Sequence, residues 1–190
     1  MEAHARTRTH TRTRLSGVFW FAHAILLPGK NMEGGCAMTS ETGGNAAHTC
    51  TFVTDTATMC VFDVAGMRHR LADDVDWWSI PSAELAEVNA GHVVFLNLGS
   101  DGAYAVELAD DLADPQVSVN LKVESGRVFI GAAEEVTADG LEPEAVFGGM
   151  FVQLAPGNYR VLARRKEGHI ALAFLPGERG DNSFADLVRI

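Results

Sequence analysis

Lysine is scarce in this chain. Only Lys30, Lys122 and Lys166 occur among 190 residues, and Lys and Arg together number 15 against 25 Asp and Glu. The formal net charge is -10. So few cations make a poor binder of a phosphate backbone, and no nucleic-acid partner is expected. Cysteine is scarce as well. Cys36, Cys50 and Cys60 are odd in number and form no CxxC, which indicates neither a disulfide scaffold nor a zinc knuckle. Cys50 and Cys60 are expected to be small apolar strand residues in a reducing compartment.

Several motifs that carry chemistry are missing. There is no GxxxxGK[ST], no GxGxxG, no HExxH and no HxH. Asp73-Asp74-Val75-Asp76 clusters acids without the glycine and closing glutamate of a calcium loop. Gly99-Ser100-Asp101-Gly102 is better read as a hairpin turn than as a nucleophile elbow. No cofactor is expected.

The charge that is present is unevenly spread. Residues 1–37 hold five basic and two acidic side chains, whereas residues 38–190 hold ten basic and twenty-three acidic ones. Four arginines lie between His4 and Arg14, and an apolar stretch from Leu15 to Leu27 follows. That stretch is too short for a membrane-spanning helix, which takes ~20 residues. It can be read as a secretory leader, but Pro28-Gly29-Lys30 follows where small residues should mark a cleavage site. A lipidated Cys36 fits less well, since Glu33-Gly34-Gly35 precedes it. The favoured reading is a mis-assigned start, with the true one at Met32 or Met38. Residues 1–49 are therefore set apart as an extension, residues 50–190 are expected to form one domain, and a cytoplasmic location is expected unless 1–37 act as a signal.

From Cys50 onward the chain reads as strands. Thr51 to Thr58 and Met59 to Val64 suggest two strands around Asp55. His92 to Leu98 fits a central strand. Val117, Val119, Leu121 and Val123 alternate with Ser118, Asn120, Lys122 and Glu124, and Tyr159, Val161 and Ala163 alternate with Arg160, Leu162 and Arg164. Ser125-Gly126 predicts a hairpin into Arg127 to Gly131. Ser82 to Ala90 predicts the one helix, with Ser82 capping it and Gly91 ending it. Ala132 to Gly149 reads as a long loop crossing between sheets, and Ser183 to Ile190 as a short helix or edge strand. The expected fold is mainly β: an antiparallel β-sandwich or open barrel of about eight strands with one short helix.

The most unusual stretch is Arg68-His69-Arg70-Leu71-Ala72-Asp73-Asp74-Val75-Asp76-Trp77-Trp78. Trp and Arg anchor binding surfaces, so Arg68, His69, Asp73, Asp74, Asp76, Trp77 and Trp78 are the candidate site. Against this stands a simpler account, in which one indole fills the core, the other covers a sheet edge, and the charges are solvated. His69, His92 and His169 lie far apart with no ligand spacing and are expected at the surface or at caps. Asp55 and Asp63 are expected to hold turns. Arg160, Arg164 and Arg165 form the densest basic group of the acidic domain. They are expected to pair with Glu107 or Glu124 across strands, and an anion site is the lesser reading.

Four stretches carry a family resemblance: Thr51-Phe52-Val53-Thr54-Asp55-Thr56-Ala57-Thr58, Asp76-Trp77-Trp78-Ser79-Ile80-Pro81, Glu84-Leu85-Ala86-Glu87-Val88-Asn89-Ala90-Gly91, and Leu154-Ala155-Pro156-Gly157-Asn158-Tyr159-Arg160-Val161. Over roughly residues 50–190 the chain resembles a family of small bacterial proteins of unknown function, which implies no activity and no catalytic residue. The leading expectation is a non-enzymatic domain that binds another protein. One alternative is a metal-dependent enzyme or metal-binding protein using His69, Asp73, Asp74 and Asp76. Another is an exported sandwich that binds glycans through Trp77 and Trp78. The oligomeric state is left open.

Overall fold

The computed structural model describes residues 48–136, 138–140 and 142–190. The readings placed on residues 1–47 lie outside them. The described chain forms nine strands in two sheets, one α-helix and three 3-10 turns, and neither sheet closes into a barrel. It is thus mainly β, as the alternating runs imply.

The strands are β1 His48–Thr54, β2 Thr58–Asp63, β3 Val93–Asn97, β4 Gly102–Ala109, β5 Val117–Val123, β6 Arg127–Ala132, β7 Met150–Gln153, β8 Gly157–Lys166 and β9 His169–Pro176. The larger sheet runs β1-β4-β9-β8-β5 and the smaller β3-β2-β6-β7. All neighbours pair antiparallel except β4 and β9, which are parallel.

The burial patterns follow the sequence patterns. On β5, Val119, Leu121 and Val123 are buried while Ser118 is exposed, so the larger sheet has one core face and one outer face, the latter covered in part where Leu112 packs on Leu162 and Ala173. In the smaller sheet β2 is buried at every position and β3 at all but Asn97, so that sheet is covered on both faces. One face meets the larger sheet. The other is covered near β3 by the segment 64–80 and the helix α1, Pro81–Ala90. Continuous apolar runs such as Met59-Cys60-Val61-Phe62 and Val93-Val94-Phe95-Leu96 are what a doubly covered strand requires.

Several local expectations are corrected. Ser125-Gly126 does not make a hairpin: β5 pairs with β8 and β6 pairs with β2 and β7, so this turn carries the chain from one sheet to the other. The cause is Asp63, which is fully buried at the end of β2. Its carboxylate accepts the Ser125 amide at 3.0 Å, the Gly126 amide at 2.8 Å and the Ala65 amide at 2.9 Å. Gly126 takes φ 85°, and a Cβ there would lie 2.4 Å from the Leu154 carbonyl oxygen, so the turn has no room for a side chain.

Residues 132–149 do not cross between sheets either. They connect β6 to β7, which are neighbours, and Glu135 braces the loop by accepting the Glu144 and Phe147 amides at 3.0 Å each. The helix begins one residue early, with Pro81 in its first turn and Ile80 at the cap; Ser82 caps nothing, because proline at the first position presets φ and brings no orphan N–H. Gly91 does end it, at φ 76°. Residues 183–190 form neither helix nor strand, but only a single parallel bridge from Arg189 to Asn97.

Candidate functional site

The segment 64–80 is short on regular structure and long on anchors. Trp77 and Trp78 lie on one 3-10 turn, and both are 5% exposed. The expectation of one indole in the core and one at an edge assumed an extended backbone. In a tight turn adjacent side chains no longer point to opposite faces, and both indoles pack on Phe95, with ring centroids 6.2 and 6.1 Å away. The guanidinium of Arg70 lies 4.3 Å from the centre of a Trp77 ring.

Glu87 is the hub. It points inward from the middle of α1 and is buried, as is Glu84. Its Oε1 accepts Arg70 Nε at 3.0 Å and Nη2 at 2.7 Å. Its Oε2 meets His69 Nε2 at 3.0 Å and His92 Nδ1 at 2.7 Å. Arg70 also donates to Asp73 at 2.6 Å. The two imidazoles meet edge to face at 5.0 Å. Three segments converge here: the turn 68–70, the helix, and the residue after the Gly91 reversal, whose amide returns to the Glu87 carbonyl.

Burial raises the Glu87 pKa, but the hydrogen bonds from His69, His92 and Arg70 outweigh it and leave the carboxyl below its ordinary 4.5. A depressed carboxyl stabilises the fold above its unfolded pKa, and that contribution disappears as pH falls through the folded one. The stability gap between wild type and Glu87→Gln should therefore be present above pH 4.5 and shrink as pH falls below it. Urea midpoints at matched pH values check this; a constant gap would remove the carboxylate's role.

Of the residues singled out in sequence, His69, Arg70, Asp73, Trp77 and Trp78 are tied into this cluster or its packing. Arg68, Asp74 and Asp76 have exposed side chains. The Asp74 and Asp76 carbonyls accept the Trp77 and Ser79 amides and so build the turn. Among the described residues, the histidine–carboxylate group whose ligand atoms come together is His69, Glu87 and His92, with all three within 4.8 Å of one another. Asp73, Asp74 and Asp76 are not part of it. The histidines looked unrelated because their spacing depends on the fold; Glu87 looked like an ordinary early-turn helix acid.

A second site lies on the outer face of the larger sheet. A groove of about 930 Å³ crosses β1, β4, β9 and β8. The pairing register lays two rows across it. Thr49, Glu107, Ala171 and Arg164 form one, and Thr51, Ala105, His169 and Lys166 the other. Small residues make the floor, and Arg164, Lys166 and His169, all exposed, stand at one side. Arg164 does not pair with Glu107 or Glu124 as expected; its Nη1 donates to the Ala113 carbonyl at 2.9 Å. Arg165 points away from this row, donates to the Leu98 and Ile190 carbonyls, and lies 5.0 Å from the Tyr104 ring centre. The Arg160–Lys166 run signalled a basic strand, but only the register shows that β9 adds His169 beside it. Asp63 does serve its turn; at Asp55 the brace is Glu134, whose Oε1 accepts the Asp55 amide at 2.9 Å and the Thr54 and Thr56 hydroxyls.

Among the described residues no helix is long and apolar enough to cross a membrane. A family model described as "Family of unknown function (DUF6386)" matches residues 46–190. No curated protein matches the chain. Two solved structures are similar in part. One, titled "Crocagin biosynthetic gene J", is 18% identical over 71% of this chain and 100% of its own, with a TM-score of 0.45. The other is ComJ from Bacillus subtilis, an inhibitor of the DNA degrading activity of NucA; it is 10% identical over 68% of this chain and 95% of its own, with a TM-score of 0.43. Neither likeness transfers a role.

Proposed function

Because this chain belongs to a family whose function is unknown, DUF6386, we propose its role from its own surface: a binding domain, not a catalyst, that seats an acidic segment of a partner protein in the groove of the larger sheet. The observation that carries this is the gathering of Arg164, Lys166 and His169 beside one large groove in a chain of net charge -10. Elsewhere the acid excess repels anions at long range. A short acidic peptide senses mainly the nearby cations, because screening cuts off charges beyond about 8–10 Å at ordinary salt. A nucleic acid, with a charge every ~1.7 Å of duplex, would sense the whole acidic body.

The floor suits a flat, extended ligand. Ala105, Ala171, Thr49 and Thr51 leave the sheet surface low, so a peptide backbone can lie along it while its carboxylates reach Arg164 and Lys166. Glu107 sits within the same row and sets polarity: acidic residues belong at the β8 side, neutral ones over β4 and β1. The glycan alternative loses its anchors, since Trp77 and Trp78 are buried and present no open indole face.

The test is fluorescence anisotropy with a labelled peptide of alternating Glu and Val. Binding to the full chain at low salt, weakening as salt rises, is expected. The double variant Arg164→Glu, Lys166→Glu should lose binding by at least about tenfold, since facing like charges costs several kcal/mol. Both side chains are exposed, so its melting temperature should stay near wild type. Failure of wild type to bind the peptide, equal binding by the double variant, or tighter binding of a single-stranded oligonucleotide would overturn the proposal.

A further inference from the structure

We propose that His69, Glu87 and His92 form a binding site for a divalent transition-metal cation, with Zn²⁺ the ion that best suits the donors. Two imidazole nitrogens and one carboxylate oxygen are a borderline-soft set matched to zinc and its first-row neighbours, and too poor in oxygen for calcium or magnesium.

The geometry is close to what coordination needs. Glu87 Oε2 lies 3.0 Å from His69 Nε2 and 2.7 Å from His92 Nδ1, and no two of the ligand atoms are more than 4.8 Å apart. Bonds of about 2.0–2.2 Å in a tetrahedral site put neighbouring ligands roughly 3.3 Å apart. The carboxylate–imidazole spacings of 3.0 and 2.7 Å must open slightly. His69 can supply that movement: its side chain is 45% exposed and it sits on a single 3-10 turn. Glu87, 8% exposed, is the fixed ligand.

The surroundings single out one oxygen. Arg70 engages Glu87 Oε1 through Nε and Nη2, leaving Oε2 for the two histidines. Arg70 already neutralises Glu87, so neither imidazole is needed to balance its charge. Asp73, bonded to Arg70, compensates the guanidinium in turn. This is the layout of a ligand carboxylate oriented by an outer hydrogen-bonding shell. Asp73 is consequently an orienting residue and not a ligand. The exposed side of His69 leaves the remaining coordination positions to water.

The test uses the full chain purified through a tag without histidine and stripped with EDTA. Calorimetric titration with Zn²⁺ should show saturable binding, and Co²⁺ should develop the visible d–d bands of a nitrogen- and oxygen-ligated ion. Zn²⁺ should also raise the melting temperature, because it binds only the folded form of the site. His69→Ala and His92→Ala should each weaken binding by at least roughly tenfold, given that even outer-shell partners are worth about 10–100-fold. His69→Ala is the fold-safe variant, since its ring is half exposed. If wild type takes up no Zn²⁺, the site is refuted. It is equally refuted if both histidine variants bind and shift in melting like wild type, which would place the ion on other His or Cys residues.

Discussion

Replacing Asp63 with alanine should cost about 3–5 kcal/mol of folding stability, a large part of the ~5–15 kcal/mol a domain of this kind has. Asp63 is fully buried, yet it is no liability where it stands. Three backbone amides, those of Ala65, Ser125 and Gly126, donate to its oxygens, and the Ser125 hydroxyl donates at 2.9 Å. Alanine would leave the buried Gly126 amide without a partner and strip the part-buried Ala65 and Ser125 amides of theirs, and an orphaned buried donor costs roughly 1–3 kcal/mol. Asparagine keeps one acceptor and brings an NH₂ against an N–H, so it should fall between. The readout is a urea titration followed by circular dichroism. The midpoint should drop with the slope unchanged. An Asp63→Ala protein within about 1 kcal/mol of wild type, the ordinary cost of a surface change or less, would show that the sheet crossing does not depend on this carboxylate.

Trp78→Ala should be comparably severe, at about 3–5 kcal/mol. The indole is 5% exposed and stacks on Phe95 at a 25° interplanar angle. Removing it opens a cavity beside β3 and loosens the turn that also carries Trp77. The consequence reaches further than the core: the same segment holds His69 and Arg70 against Glu87, so Zn²⁺ affinity should fall with stability. Affinity for an acidic peptide in the groove should not, because that groove belongs to the other sheet. Trp78→Phe should restore part of the stability. Thermal melting and the peptide titration on the same samples check both halves. A stable Trp78→Ala protein that has lost peptide binding would return the indole to a binding surface.

The elements of the larger sheet were legible because their periodicity is local. Val119, Leu121 and Val123 show an alternation that any half-buried strand must show. The doubly covered strands were also found, as apolar runs bounded by turn residues. What sequence spacing does not encode is partnership. Ser125-Gly126 has the residues of a hairpin, and nothing in the neighbourhood reveals that a carboxylate sixty-two residues earlier redirects it. The two indoles were seen, but their direction depended on a 3-10 turn too short to leave a period. His69 and His92 are brought together by the turn 68–70 and the Gly91 reversal, and Glu87 joins them only because a helix of ten residues turns that position inward. Its charge argued for the opposite face. The groove was half legible: the basic run on β8 was plain, but His169 and the small floor residues come from strands distant in sequence.

The last strand, β9, lies in the middle of the larger sheet, between β4 and β8. This order sets a timetable for synthesis. While the ribosome is still making residues before His169, β1-β4 and β8-β5 are two separate pairs with an empty slot between them, each exposing backbone donors and acceptors at that slot. The parallel β4–β9 contact spans some sixty residues, and the long loop it closes makes it a slow step. Folding of the larger sheet therefore waits for residues up to Pro176 to emerge, and a chain that stalls before β9 would display two open sheet edges to any chaperone or neighbouring nascent chain.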